Sequence, residues 1–259
     1  MEKMNETTAV QKQYKTANNL NTRISIHHKY STNKQSYGDW IYENYAFSSG
    51  FKVLELGCGT GEMWIQKASE LPEGTSLLLT DFSAGMLETT KENLSDHKNI
   101  EYAVVDIQRI PYADHSFDAV IANMMLYHVP DLHKGLSEVR RVLKPGGTFY
   151  CATYGETSIA QYLCTLLEDF DLVAKLNKNF TLQNGTAALQ QHFTSVQRLD
   201  RDDALAVTDI EDIVDYLYSL TSMTNLQPES RAAITETLTA KMQNGVLYIP
   251  KEYGMFLCK

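Results

Sequence analysis

The amino-acid sequence predicts an α/β protein whose core is a parallel sheet, and two observations carry that expectation. From Phe51 onward, short apolar runs alternate with helix-sized intervals, and the first of these runs enters a Gly-x-Gly-x-Gly turn that opens a helix. A strand buried on both faces reads as a continuous apolar run, whereas an antiparallel strand with one wet face alternates polar and apolar residues.

The elements follow in order. Residues 1–49 are polar and Tyr-rich, with helical spacing near 8–20 and 35–46, where Tyr37, Trp40, Ile41, Tyr42 and Tyr45 recur at intervals of three and four. They read as an N-terminal helical cap segment, followed by the main domain over 50–259. Strands are expected at 52–56, 76–80, 100–105, 117–122 and 147–153. Ser83 opens a helix through about Leu94, and Asp131 can cap another that ends before Lys144-Pro145-Gly146-Gly147, where Pro and Gly forbid continuation. After Thr153 the alternation breaks, and residues 155–194 read as a helical insertion, with helical stretches at 158–176 and 186–192. An apolar-alternating segment at 196–207 follows. A helix capped by Thr208 or Asp209, another opened by Pro228, and a short strand at 253–258 complete the chain.

Composition bounds the function classes. The 259 residues include 32 acidic and 23 basic side chains, a formal charge of −9, and 43% are hydrophobic, which suits one large domain or one domain with a cap. The acidic balance argues against a broad nucleic-acid footprint, which is normally met by clustered Lys and Arg. Four dispersed cysteines, Cys58, Cys151, Cys164 and Cys258, form neither a C-x-x-C pair nor a Cys/His cluster, so no metal centre or disulfide framework is expected. No apolar signal core and no run of roughly 20 apolar residues is present, and a cytoplasmic protein is the default expectation.

The strongest local signal is Val53-Leu54-Glu55-Leu56-Gly57-Cys58-Gly59-Thr60-Gly61. Glycines at such a turn let the backbone approach a ligand closely, although a tight strand-to-helix turn without a ligand has the same pattern. Glu62 stands where a dinucleotide-binding G-x-G-x-x-G turn wants a small residue, which speaks against a nicotinamide-dependent oxidoreductase. Acidic residues end the next two strands: Asp81 is placed to accept from ribose hydroxyls, and Asp106 from an adenine amino group. The fourth strand ends at Asn123. In open α/β sheets these carboxyl ends converge on one crevice.

At this point the chain resembles the class I S-adenosylmethionine-dependent methyltransferases, in the subgroup of ubiquinone/menaquinone-type and other small-molecule enzymes. The resemblance rests on Glu55-Leu56-Gly57-Cys58-Gly59-Thr60-Gly61, Asp81-Phe82-Ser83-Ala84-Gly85-Met86-Leu87, Asp106-Ile107-Gln108-Arg109-Ile110-Pro111, Ser116-Phe117-Asp118-Ala119-Val120 and Leu143-Lys144-Pro145-Gly146-Gly147, in order over 50–153. It implies a Rossmann-like seven-stranded, mostly parallel sheet with helices on both faces, an antiparallel last strand and a helical cap. It implies S-adenosyl-L-methionine as cofactor and S-adenosyl-L-homocysteine as product.

Carried over residue by residue, Gly57, Cys58, Gly59 and Gly61 would form the turn beneath the methionine part, and Glu55 would hold this loop. Asp81 would bind the ribose, Phe82 would pack on the adenine with Met86 nearby, Asp106 and Ile107 would hold the adenine, and Asn123 would sit near the methionine. Other readings stay open: Asp81 as a helix N-cap and Phe82 as core.

For the reaction, His128, just past the fourth strand, is the candidate catalytic base, with a structural imidazole as the alternative. The stretch around His27, His28, Lys29 and Tyr30 is either a substrate lid or a solvated turn. Tyr30, His28, Tyr37, Tyr127 and Tyr154 are the candidate substrate-pocket residues, with Trp40, Tyr42, Tyr45 and Tyr162 as further aromatics, unless they are only buried helix faces. Residues 123–126 lack the Asn/Asp-Pro-Pro-Tyr/Phe of enzymes that methylate nucleic-acid bases, which favours a small-molecule acceptor. No membrane association is expected, and a homodimer is compatible with the sequence. The alternative function is a non-catalytic S-adenosylmethionine-binding regulator or partner protein of the same fold.

Overall fold

The structure, a computed structural model, describes residues 17–97, 99–170, 172, 177–220, 226 and 230–259. Helices α1 (Ala17–Tyr30) and α2 (Tyr37–Glu43) precede β1 (Lys52–Leu56), α3 (Glu62–Lys67), β2 (Ser76–Asp81), α4 (Ala84–Asn93) and β3 (Ile100–Val104). Then come β4 (Phe117–Ile121), α5 (Leu132–Val142), β5 (Leu143–Tyr154), α6 (Ile159–Leu166) and α7 (Gly185–Leu189). The chain closes with β6 (Val196–Arg201), β7 (Ala204–Val207), α8 (Ile210–Ser219), α9 (Arg231–Ala240), β8 (Leu247–Pro250) and β9 (Tyr253–Cys258).

Seven strands form one sheet in the order β3-β2-β1-β4-β5-β9-β6. All neighbours are parallel except β9, which lies antiparallel between β5 and β6, with Cys151 and Arg198 both opposite Phe256. The expected seven-stranded, mostly parallel architecture with an antiparallel last strand is therefore present. Successive strand residues feed two apolar layers, as the period of two requires. Leu54, Leu56, Val120 and Phe149 face Leu136, Val139 and Val142 of α5. Val53, Leu77, Leu79 and Ile121 face Trp64 of α3 and Ile41 of α2.

Local signals set the helix starts. Ser83 caps α4 by accepting from the Met86 N–H, Asp131 caps α5 from Lys134, and Asp209 caps α8 from Glu211. β5 begins at Leu143, earlier than its apolar pattern suggests, because residues 143–147 pair irregularly with Phe117 before regular pairing resumes at Thr148.

The C-terminal half departs from the expected helical insertion. Among the described residues, 155–194 hold only the short helices α6 and α7 and a 3-10 turn at Glu168–Phe170. The single segment expected at 196–207 is split: the Asp202-Asp203 turn sends β6 to the edge of the main sheet and β7 into a separate hairpin with β8. Both pieces alternate, so the pattern could not say that they serve different cores. The expected N-terminal helix at 8–20 lies outside the described residues up to 16, and so does Pro228.

A second apolar core, apart from the sheet, is assembled from distant parts of the chain. Ile26 of α1, Leu163 of α6, Leu205 of β7, Leu217 of α8, Ile234 of α9 and Ile249 of β8 all belong to it. Ile249→Ala is expected to lower the unfolding free energy by about 2–5 kcal/mol, as for other truncations in a packed core. The adjacent Tyr248→Ala should change it by no more than about 0.5 kcal/mol, because Tyr248 is 60% exposed and Ile249 is 0%. Urea denaturation of the two variants measures the difference and tests the register of β8.

Candidate active site

The order β3-β2-β1-β4 brings four strand ends into a row, and β1 is the strand at which the chain's path across the sheet reverses. The turn leaving β1 takes three glycines into the left-handed region, with φ of 75° at Gly57, 60° at Gly59 and 70° at Gly61. Its donors and acceptors are paired inward: the Gly57 and Cys58 N–H groups both donate to the Thr80 carbonyl at 2.8 and 2.9 Å. The Thr90 hydroxyl donates to the Gly59 carbonyl at 2.7 Å.

The glycines have different surroundings. A Cβ on Gly61 would stand 2.7 Å from Thr90 Cγ2, whereas one on Gly59 would meet nothing within 4 Å. Gly61 is therefore needed for packing within the protein. Gly59 fronts open space, as a backbone that receives a ligand must.

Asp81 closes this loop from β2, accepting from the Gly59 N–H at 3.0 Å and the Ser83 N–H at 2.7 Å. Ser83 is the helix cap, so Asp81 is a loop brace at the crevice and not an N-cap. Phe82 is 38% exposed, which removes the reading of it as core. Met86 is buried on α4, and Cys58 sits beside Thr90 at 3.7 Å, its thiol pushed up by burial and by the charges of Glu55 and Asp81. From β3, Asp106 accepts from the Gln108 N–H at 2.8 Å, while Ile107 packs in the sheet core.

Two buried polar groups at the crevice are incompletely matched. Glu55, at the end of β1, accepts from Trp64 Nε1, and its burial pushes the carboxyl up to about 7. Asn123 donates through Nδ2 to the Tyr45 hydroxyl at 2.7 Å, but its buried Oδ1 has no hydrogen-bond partner among the described residues. Met124, directly after it, takes φ of 54°, a conformation unfavourable for a residue with a side chain.

The candidate acceptor residues separate into two groups. Tyr37 places its hydroxyl 3.7 Å from the Met124 sulfur, and its ring lies 5.4 Å from that of Tyr253. Tyr253 pairs across the sheet with Tyr154, whose ring lies 4.5 Å from Tyr127. Tyr30 instead turns to α8, where its hydroxyl donates to Asp212. His28 is exposed, with Nε2 3.6 Å from Glu62 Oε1 at the start of α3. Tyr162 packs against the second core, away from these rings.

The His128 ring lies 4.5 Å from that of Tyr127, tilted at 59° to it, and burial holds its imidazole down to about 4. Trp64, Thr90, Tyr253 and Arg201 carry much of the local geometry yet belong to no motif. A Trp two residues after Glu62 was the only sequence sign of the first, and nothing local marked the others.

Among the described residues, no group of three or more His, Cys, Asp and Glu side chains is arranged to hold a metal, and no helix is long and apolar enough to cross a membrane. A surface hollow of about 570 Å³, lined by Pro130, Asp131, His133, Asn179 and Gln191, shares none of the crevice residues named above.

The raised carboxyl of Glu55 has a stability consequence. Its folded value of about 7 lies above the ordinary 4.5, so the unfolded chain releases this proton first as pH rises. Stability from this group is complete below about pH 4.5 and falls until about pH 7, by on the order of 3 kcal/mol. Urea denaturation from pH 5 to 8 should show that slope in the parent protein and its loss in Glu55→Gln, which keeps an acceptor for Trp64.

Comparison with known proteins bears on the same region. Residues 54–151 match the family model described as a methyltransferase domain. A demethylmenaquinone methyltransferase of Staphylococcus aureus is 34% identical over 111 residues, covering 43% of this chain and 46% of that enzyme. The chain thus spans under half the length of the curated relatives it matches. Among solved structures, the [4+2]-cyclase SpnF is similar with a TM-score of 0.61 at 16% identity, covering 97% of this chain and 95% of that one. A Haemonchus contortus phosphoethanolamine N-methyltransferase, solved with phosphomonomethylethanolamine and S-adenosylhomocysteine, gives 0.59 at 16% identity, covering 96% and 58%. These two likenesses are of fold. The glycine turn of β1 and the strand-end residues Asp81, Asp106 and Asn123 thus lie within the stretch, residues 54–151, that matches a methyltransferase domain, on a sheet whose fold is that of the methyltransferase structures.

Proposed function

We propose that this protein transfers a methyl group from S-adenosylmethionine to a small-molecule acceptor, releasing S-adenosylhomocysteine. The observation that carries the reading is the open face of Gly59, bracketed by Glu55, Asp81 and Asn123. These residues fit the cofactor. Asp81 offers carboxylate oxygens to ribose hydroxyls, and the unpartnered Asn123 Oδ1 offers an acceptor to an ammonium. Phe82, exposed at the end of β2, offers a ring face for the adenine, with Asp106 on the neighbouring strand.

Bound there, S-adenosylmethionine supplies a methyl group already activated on a sulfonium. Alignment of the acceptor in line with that group is then the main task left to the chain, and rigid packing of Tyr37, Tyr127 and Tyr154 suits it. His128, which burial holds down to about 4 and so neutral across the physiological range, is on this reading the base for an acceptor that arrives protonated. The chain's charge of −9 favours a small molecule over a nucleic acid. On this reading α1 and α2 act with the C-terminal segments as the cover of the crevice, in a cytoplasmic enzyme.

Calorimetry with S-adenosylmethionine and S-adenosylhomocysteine is the direct test, with NADH as control. Asp81→Ala should weaken both by about 1–3 kcal/mol, as loss of charge-assisted hydrogen bonds does, and unchanged affinity would remove the ribose assignment. S-adenosylmethionine should also release protons on binding near pH 7, because a cation beside Glu55 favours its ionised form. Titration in two buffers of different ionisation enthalpy reads that release. His128→Asn is expected to lower kcat while leaving S-adenosylhomocysteine affinity unchanged; an unchanged kcat would leave the imidazole a packing role.

A further inference from the structure

Next to the aromatic side of the crevice, the 31–35 connector, the β6–β7 turn and the β8–β9 turn meet around Asp203. Its carboxylate accepts from the Arg201 guanidinium and the Lys251 ammonium, from the Ser31 and Thr32 hydroxyls at 2.9 and 3.4 Å, and from the Asn33 and Ala204 N–H groups at 3.1 and 2.9 Å. The side chains of Asp203, Arg201 and Lys251 are 0%, 2% and 3% exposed. One fully engaged carboxylate therefore faces two buried cations. His27, edge-on to Tyr253 at 5.8 Å, adds no compensating charge, because burial and Lys251 hold it down to about 3 and neutral.

The cluster thus carries one unit of uncompensated positive charge out of water, an expensive arrangement unless something neutralises it. It also has unused donors. Arg201 Nε is buried and has no partner among the described residues. Lys251 donates to Ser31 and Asp203, one N–H fewer than an ammonium has.

The same cations touch the aromatic walls. The Arg201 guanidinium lies 5.8 Å from the Tyr37 ring centre, and Lys251 Nζ lies 5.6 Å from that of Tyr253. Tyr37 in turn reaches Met124 at the end of β4. A flat molecule lying along Tyr37 and Tyr253 would have one end near Met124 and Asn123 and the other at the cation pair.

We propose that Arg201 and Lys251 select the acceptor, and that the acceptor is a small aromatic acid whose carboxylate meets Arg201 Nε and the free Lys251 N–H. Residues 31–35 cover the pair, so this connector lifts to admit the acid. The inference rests on the crevice being a methyltransferase site, since it assigns the acceptor half of that site.

The test uses the full chain saturated with S-adenosylhomocysteine and titrated with benzoate, 4-hydroxybenzoate and 2-naphthoate, each against its neutral amide. At least one acid should bind fivefold or more tightly than its amide, and the preference should vanish in Lys251→Met. That variant leaves Asp203 paired with Arg201 alone, so its Tm should be unchanged or higher. A cluster serving only as a structural ion pair predicts the reverse, a lower Tm with no acid preference in the parent protein. Absence of any fivefold preference across the three pairs, with S-adenosylhomocysteine still bound, overturns this inference alone. Failure to bind S-adenosylhomocysteine overturns the reading beneath it.

Discussion

The turn at the end of β1 is the constraint on which the crevice depends. The chain must leave the centre of the sheet, reverse and enter α3 while keeping a stretch of backbone open to a ligand. Only left-handed residues without side chains allow this, and the bonds to Thr80, Asp81 and Thr90 prevent the glycines from sampling other conformations. The cost of ordering a glycine-rich loop is thereby met during folding and not again on binding. The parallel neighbours β2 and β4 flank β1, so Asp81 and Asn123 arrive beside the loop as a consequence of sheet order.

A second theme is polar groups taken out of water with part of their bonding capacity unused. Among the described residues, Glu55 is buried with a Trp64 bond but no cation, Asn123 keeps an orphaned oxygen, and Arg201 keeps an orphaned N–H. Such groups destabilise a protein that never fills them, since each forfeits hydrogen bonds it had in water. Their placement along one line, from the glycine turn through the fourth strand to the aromatic walls, is that expected of a site in which guests complete the bonding. The charges also differ along that line, with carboxylates at the cofactor side and excess cation beyond the tyrosines.

The cap is bound to the sheet by contacts far apart in sequence. Arg201 reaches the Gln35 carbonyl, Tyr30 and Lys29 reach Asp212, and Ile26 enters the second core with residues from α6 to β8. Its anchorage is both polar and apolar, since Ile26 and Ile41 are each buried in a packed core.

The sequence by itself determined the strand-turn-helix units, the glycine turn, the acids that end β2 and β3, and the caps at Ser83, Asp131 and Asp209. Each depends on neighbours within a few residues, so periodicity, backbone freedom and capping chemistry were sufficient to read them. The tertiary structure alone decided which tyrosines meet, that Ile107 joins the core, that residues 196–207 divide between two sheets, and that Arg201 and Lys251 share one carboxylate. Those outcomes join residues separated by most of the chain, and two alternating strands, or two surface-type charges, look alike until the fold chooses what each is buried against.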